Sequence, residues 1–308
     1  MNRYKELTKG LLKKQRIDEI DLLRGIPIFV VVLYHFCFTF SYLPYLFSNY
    51  QEMFAKYPNI QDFIYFLDID IFGSTFLHNI LVPLVGGLFI FVCGISSILS
   101  KNNGKRSLLL WLCSIVLSLG TMLVTYISKE DLYIDWGVLH LMAFSVSIYA
   151  IIEFFYSKIL HKKMSPYICL GIASLIFLPS ICLYCGFNPF TFKTFKPWPT
   201  SYLDNSVMPI ERYIKNPSQF FLQALGKLGG WTDWWPIFPY TGVFFLGAFF
   251  GILLYQDNKK SKVPWLHRIY IFRPICFVGK HTIWIYLLHQ PIIIVVLFIV
   301  FYIMGFRI

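Results

Sequence analysis

The sequence predicts an all-α, polytopic membrane protein with about seven or more transmembrane helices and a cytoplasmic N-terminus. Of its 308 residues, 57% are hydrophobic and only 14% are charged, whereas soluble domains carry about 25% charged residues. The apolar residues are gathered in runs close to the ~20 residues that a membrane-spanning helix needs. Lys and Arg, which give the chain its net charge of +11, are concentrated in alternate loops.

Seven apolar runs are predicted to span the membrane, and the loops between them alternate in charge. Nineteen of the 27 Lys and Arg residues fall on the side of the N-terminus, and the side richer in these residues is normally cytoplasmic. We therefore predict a plasma-membrane protein with an external C-terminus. The predicted spans are 25–44, 76–100, 107–127, 137–157, 166–185, 236–256 and 280–304.

The remaining segments are predicted to lie outside the membrane. Residues 1–24 mix basic and apolar residues, which is typical of an amphipathic lead-in on the inner membrane surface, and they lack the pattern of a cleavable signal peptide. Residues 60–73 contain three aspartates and are interpreted as an interfacial or re-entrant element. Residues 186–235 form a long extracytoplasmic loop, a kind of segment that is usually functional. Residues 25–308 are predicted to form one domain, with a surface helix in the second half of 257–273.

Polar residues on the predicted helices separate by depth. His35 and His289 lie near the membrane midplane, where an ionisable group is costly and usually faces a protein interior. Arg24 precedes His35 by eleven residues, which puts both on one helix face, roughly 16 Å apart at ~1.5 Å per residue. Each of these residues also has a structural interpretation, as a buried histidine or a topological cation. The other residues singled out are His78, Asp135, His140, Asp233 and Trp234 at outer ends and Lys105, Arg106 and Lys280 at inner ends.

Several classes of protein and site are disfavoured. The chain has no Gly-rich phosphate loop, no Ser-His-Asp spacing and no zinc-ligand pattern, and its seven cysteines fall almost entirely in apolar segments. The positive charge follows the topology, so nucleic acid is not an expected partner. No internal repeat indicates a transporter built from inverted repeats. Two alternatives to an enzyme stay open: a proton-coupled carrier using His35 and His289 as a relay, and an inert scaffold.

Segments spread over most of the chain carry a family resemblance. Five of them resemble the heparan-α-glucosaminide N-acetyltransferase catalytic-domain family, within the wider transmembrane acyltransferase group. They are RIDEIDLLRG with the spacing from Arg24 to His35, GGLFIFVCGIS, WGVLHLMAFS, DWWPIFPYTGVFFLG and GKHTIWIYLLHQP. The resemblance implies an enzyme that takes an acetyl group from cytoplasmic acetyl-coenzyme A. It would deliver this group to an amine or hydroxyl of a sugar or glycan on the other side.

The resemblance also implies roles for individual residues. His78 matches the family's active histidine, as general base or transient acyl carrier, and His35 would orient the thioester. From their position near the inner surface, Arg24, Lys105, Arg106 and Lys280 are expected to bind the phosphates of coenzyme A, with His289 also contacting the donor. Asp135, His140, Asp233 and Trp234, at outer ends, would meet the acceptor, the two carboxylates holding an ammonium. No metal is expected. N- versus O-acylation, an acetyl-histidine intermediate versus direct attack, and a monomer versus a homodimer in the lipid bilayer all stay open.

Overall fold

The computed structural model describes residues 17–72, 74, 76, 80–128, 132–188, 193–194, 196–203, 209–230, 233–266 and 269–307. It confirms the all-α class, and its described part contains seven helices long and apolar enough to cross a membrane. They correspond one for one to the seven predicted spans. Their bounds are Asp18–Leu46, Val82–Leu99, Asn103–Ser128, Val138–Ile159, Pro166–Cys185, Ile237–Tyr255 and Thr282–Met304.

The helices are numbered in chain order, and short irregular turns extend some of them. They are α1 (Asp18–Tyr42), α2 (Tyr50–Lys56), α3 (Pro58–Tyr65), α4 (Val82–Leu99), α5 (Asn103–Ser128), α6 (Val138–Phe154), α7 (Pro166–Cys185), α8 (Pro209–Lys215), α9 (Ser218–Leu225), α10 (Ile237–Tyr255), α11 (Arg273–Lys280) and α12 (Thr282–Met304). Four two-residue strands complete the described structure. β1 (Phe187–Asn188) pairs antiparallel with β2 (Lys193–Thr194), and β3 (Ser201–Tyr202) pairs parallel with β4 (Leu228–Gly229).

The chain forms two compact units. The first unit comprises residues 1–89 and 259–308, and its apolar core joins the end of α12 to the segment that follows α1. The side chain of Asn49 closes this end, because its amide donates to the carbonyl of Gly305 and its oxygen accepts from the N–H of Arg307, at 3.1 and 2.7 Å. Within the segment 60–73, predicted to be interfacial, the described residues form the end of α3 and a π-helical turn at Phe66–Phe72. The core residues are Leu43, Phe47, Met53, Phe54, Ile64, Ile293, Leu297, Phe301 and Phe306.

At the other end of the first unit, α1 and α11 pack backbone to backbone. A Cβ atom on Gly25 would overlap the carbonyl oxygen of Ile275, and one on Gly279 would overlap that of Asp21. The surface helix predicted in the second half of 257–273 is wrong in position: the described residues there form a 3₁₀ turn at Tyr270–Phe272, and the helix α11 begins only at Arg273 and packs on α1. The predicted start of the last span at 280 is wrong by a short distance, because Lys280 ends α11 and α12 begins at Thr282.

The second unit comprises residues 90–258 and is built on α5, α6, α7 and α10. Small residues again allow close packing: a Cβ atom on Gly94 would overlap the carbonyl oxygen of Phe244 in α10. The predicted long loop folds into the four strands, α8 and α9 within this unit. All seven cysteines of the chain are free, and Cys185 is exposed.

Candidate functional site

Helices α1 and α12 bring together the two histidines predicted to lie near the membrane midplane. The ring centroids of His35 and His289 are 5.0 Å apart, and the ring planes are tilted by 54°. Tyr34 packs against His35 and Tyr286 against His289, with centroid separations of 5.5 and 5.8 Å. The contact between α1 and α12 therefore contains two adjacent imidazole rings.

Hydrogen bonding fixes the tautomer of His289. Its Nδ1 atom lies 2.7 Å from the carbonyl oxygen of Tyr286 and 3.2 Å from that of Ile285. Because a carbonyl oxygen only accepts, Nδ1 carries the proton, and Nε2 of the neutral ring keeps its lone pair. Nε2 is buried and has no hydrogen-bond partner. An oriented imidazole nitrogen with a free lone pair is what a general base requires.

The next residue, Gln290, adds a second buried acceptor. Its Nε2 donates to Oγ1 of Thr39 at 3.0 Å, and its Oε1 is buried without a partner. Thr39 follows His35 by one helical turn, so both lie on one side of α1. A buried acceptor that lacks a donor costs about 1–3 kcal/mol. A ligand that brings N–H or O–H groups to His289 and Gln290 would remove this cost.

Two of the four predicted phosphate-binding cations lie at one end of the first unit, on α1 and α11. Lys280 is exposed. Arg24 is partly buried, with 25% of its side chain exposed, and its Nη1 lies 3.4 Å from Oδ1 of the buried Asp21. Lys280 is therefore the more accessible of the two cations for a phosphate group.

The other two predicted cations lie on α5 in the second unit and differ from each other. Lys105 is exposed. Arg106 instead reaches α4, where Nη1 donates to Oγ of Ser97 at 3.0 Å and Nη2 approaches the carbonyl oxygen and Sγ of Cys93 at 3.3 and 3.0 Å. Arg106 thus connects two helices, and Lys105 is the more available cation of this pair.

Asp135, predicted to help hold an ammonium, lies in a buried ion pair. Nη1 of Arg212 is 3.8 Å from Oδ2 of Asp135, and the two side chains are 4% and 5% exposed. Nε2 of Gln223 donates to the same oxygen at 3.1 Å, and the hydroxyl of Tyr213 donates to Oε1 of Gln223 at 3.3 Å. Burial, and then the charge of Asp135, raises the pKa of Tyr213, which therefore stays neutral. Arg212 balances the charge that Asp135 would otherwise offer an ammonium.

His140 has both ring nitrogens engaged. The N–H of Gly137 donates to Nδ1 at 3.3 Å, so Nε2 carries the proton and can donate to Oγ of Ser118, 3.2 Å away. That hydroxyl donates in turn to the carbonyl of Ile134 at 2.8 Å, and the ring of Trp136 stacks on His140 with centroids 5.7 Å apart. These bonds give His140 a structural role, connecting the start of α6 to α5.

Asp233 and Trp234 lie beside the same network. Oδ2 of Asp233 accepts from the N–H of Val138 at 3.3 Å, and its Oδ1 accepts from Nε1 of Trp235 at 2.8 Å. A carboxylate at the first turn of a helix is stabilised by the helix dipole. Nε1 of Trp234 donates to the carbonyl of Gln223 at 3.0 Å. The structure therefore brings together the four residues predicted for the acceptor: Asp135, His140, Asp233 and Trp234.

Some functional residues lie beyond the reach of sequence reasoning or of the described structure. His78, predicted to be catalytic, lies outside the described residues. Gln290 was missed, although a glutamine beside a histidine in an apolar run is a visible signal. Gln223 was also missed, because it lies 88 residues from Asp135 in a segment without periodicity. Within the described residues, no three His, Cys, Asp or Glu side chains are grouped as metal ligands.

Comparison with known proteins agrees with the resemblance seen in the motifs. The model of the family described as Heparan-alpha-glucosaminide N-acetyltransferase, catalytic, matches residues 16–79 and 60–291. These matches cover most of the chain and include both midplane histidines. Neither a curated protein nor a solved structure matches the chain.

Proposed function

We propose that this membrane transferase moves an acetyl group from cytoplasmic acetyl-coenzyme A to an extracytoplasmic sugar or glycan. The chain belongs to the heparan-α-glucosaminide N-acetyltransferase catalytic family, and this membership supports the proposal. The group acetylated is an amine or a hydroxyl. The observation that carries the proposal is the pair of His35 and His289, in which Nε2 of His289 is buried with a free lone pair.

The reaction needs a base, because the acceptor nitrogen or oxygen must lose a proton as it attacks the thioester carbonyl. Nε2 of His289 would take that proton while a C–N or C–O bond forms and the C–S bond breaks. The departing thiolate would then receive the proton as free coenzyme A. His35 would orient the thioester from the other side of the pair. His78 keeps the role that the resemblance implies, as a second base or transient acyl carrier.

Exposed cations would hold the donor's phosphates at the cytoplasmic side. Lys280 and Lys105 are exposed, and Arg24 is paired with Asp21 but keeps part of its guanidinium accessible. Binding through such contacts should weaken as salt rises, since exposed charges are screened. In the first unit, Oε1 of Gln290 would accept from an amide N–H of the pantetheine arm.

Release of free thiol from acetyl-coenzyme A, with glucosamine as the first acceptor tested, measures this activity directly. We expect His289→Gln to lower the rate about 10²–10⁴-fold, the usual effect of losing a general base. The melting temperature should stay close to that of the wild type, and any change in coenzyme A affinity should be much smaller than the change in rate. His161→Asn is the matched control, because His161 is exposed and its φ of 50° suits asparagine.

A proton-coupled carrier is the second candidate, because two contacting histidines are also what a proton relay needs. It predicts sugar or proton movement into vesicles without any release of thiol. Acceptor-dependent thiol release that is lost in His289→Gln would exclude the carrier. Equal rates in His289→Gln and wild type would remove His289 from the chemistry.

A further inference from the structure

Trp136 and Gln219, in the second unit, each carry a buried polar group without a partner. Trp136 is 5% exposed, and its indole N–H has no hydrogen-bond acceptor; Oε1 of Gln219 is likewise buried without a donor. The neighbouring indoles are satisfied, since Trp234 donates to the carbonyl of Gln223 and Trp235 to Asp233. The indole N–H of Trp136 therefore differs from those of Trp234 and Trp235 in having no acceptor.

Both residues belong to segments that pack against each other. Gln219 and Gln223 are four residues apart on α9 and so lie on one face of that helix. Gln223 contacts Asp135, the residue before Trp136, and the ring of Phe220 is 5.8 Å from that of Trp136. The face of α9 that carries Gln219 is therefore packed against the segment that carries the indole N–H.

The chemistry of the interface selects a class of ligand. One buried donor and one buried acceptor are both satisfied by a hydroxyl group, which accepts from the indole and donates to the amide oxygen. The indole N–H and the amide oxygen are both uncharged, so these two groups themselves do not select for a cation. The rings of Trp136 and Phe220 offer apolar faces, which ligand sites commonly combine with a few oriented polar groups.

We propose that Trp136 and Gln219 bind a hydroxyl group on the uncharged part of the acceptor sugar. The inference rests on the proposed function only in identifying that sugar as the acceptor; the binding site itself is independent of the transfer reaction. Selectivity for the amine, where the acceptor has one, would then come from elsewhere in the protein. The site predicts that a sugar without an amine is also bound.

Equilibrium binding of radiolabelled glucosamine and glucose, without acetyl-coenzyme A, tests this site. We expect the two sugars to bind with affinities within a few-fold of each other. Gln219→Leu and Trp136→Phe should each weaken both roughly tenfold, the effect of one lost hydrogen bond. Gln219→Leu should not lower the melting temperature, because the acceptor it removes has no partner in the ligand-free protein. Gln223→Leu, one turn away, is the control and should lower it, because Asp135 would lose a donor.

The outcomes separate this proposal from the proposed function. Unchanged sugar affinity in both Gln219→Leu and Trp136→Phe, or no sugar binding by the wild type, would overturn the proposed sugar site. The two buried groups would then be hydrogen-bonded by water only. Weakened binding in both variants, with a wild type that transfers no acetyl group, would support the site and contradict the transferase. Transfer by a wild type whose sugar affinity is insensitive to both substitutions would contradict the site alone.

Discussion

At the scale of single residues, His289 and His140 both stand in apolar segments of the sequence, but the hydrogen bonding of their ring nitrogens differs. Nε2 of His289 has no partner, whereas both nitrogens of His140 are engaged by Gly137 and Ser118. A histidine with a free lone pair can take a proton from a substrate without breaking a structural bond. The hydrogen bonds therefore favour His289 in α12, rather than His140 at the start of α6, as the general base.

Replacing His140 should affect stability more than chemistry. His140→Ala would leave the buried N–H of Gly137 without an acceptor and open a cavity beside Trp136. Each unsatisfied buried group costs about 1–3 kcal/mol, so we expect a clearly lower melting temperature and a lower yield. His289→Gln, measured in parallel, should melt near the wild type. A His140→Ala protein with wild-type melting and no activity would instead place His140 in the reaction.

The buried pair of Asp135 and Arg212 allows a second test of stability. Arg212→Leu leaves a buried carboxylate without its cation, which typically costs about 3–5 kcal/mol. Lys163→Ala is the control, because Lys163 and Asp257 form an exposed pair at 2.8 Å, and exposed pairs contribute about 0–1 kcal/mol. Adding Asp135→Asn to Arg212→Leu should restore part of the lost stability in thermal melts. Equal melting temperatures for Arg212→Leu and Lys163→Ala would contradict the importance of the buried pair.

At the scale of elements, the charged start of α1 is part of the helix and not a loop before it. Glu19 accepts from the hydroxyl of Ser261 and the N–H of Lys262, at 2.7 and 2.6 Å. With these partners the carboxylate can be buried, and α1 extends back to Asp18. The sequence predicted a start at 25, because hydropathy counts such charges as exposed loop.

The same reasoning explains how much of the fold was predictable. Each span must satisfy its backbone within one apolar helix, so hydropathy alone locates all seven. Contacts between distant polar residues have no such signature. Asn103 donates to Glu153 at 2.9 Å, fifty residues away in the sequence, and Ser261 lies 242 residues from Glu19. The site residues Arg212 and Gln223 were missed for this reason, since their roles depend on partners that only the folded chain brings together.

The close contact between α1 and α11 gives a prediction at this scale. Gly279→Ala would push a methyl group into the carbonyl oxygen of Asp21, where only backbone atoms could yield. We expect α11 to be displaced from α1, and coenzyme A binding through Lys280 to weaken in calorimetry. Gly87→Ala is the matched control, because a Cβ atom there meets nothing within 4 Å. Wild-type affinity in Gly279→Ala would show that the position of α11 does not matter for the donor.

At the scale of the whole molecule, the proposed chemistry divides between the two compact units. The first contains the His35–His289 pair with Arg24 and Lys280, and the second contains the network around Asp135 together with Lys105. The helix α4 belongs to both, since the boundary between the units falls after Phe89. Because Lys105, a proposed donor contact, lies in the second unit with the acceptor network, the binding of donor and of acceptor has to be measured separately for each variant.

The orientation in the membrane gives the last prediction, because the proposed transfer from cytoplasmic acetyl-coenzyme A requires the cations to face the cytoplasm. In a background lacking the seven native cysteines, Lys101→Cys lies in the exposed turn between α4 and α5, and Ile214→Cys lies in α8, where Ile214 is 76% exposed. The excess of Lys and Arg predicts that position 101 lies on the cytoplasmic side and position 214 on the external side. A membrane-impermeant maleimide should thus label Ile214→Cys in intact cells and Lys101→Cys only after permeabilisation. The opposite pattern would mean that Lys280 and Arg24 lie on the external side, and it would contradict transfer from cytoplasmic acetyl-coenzyme A.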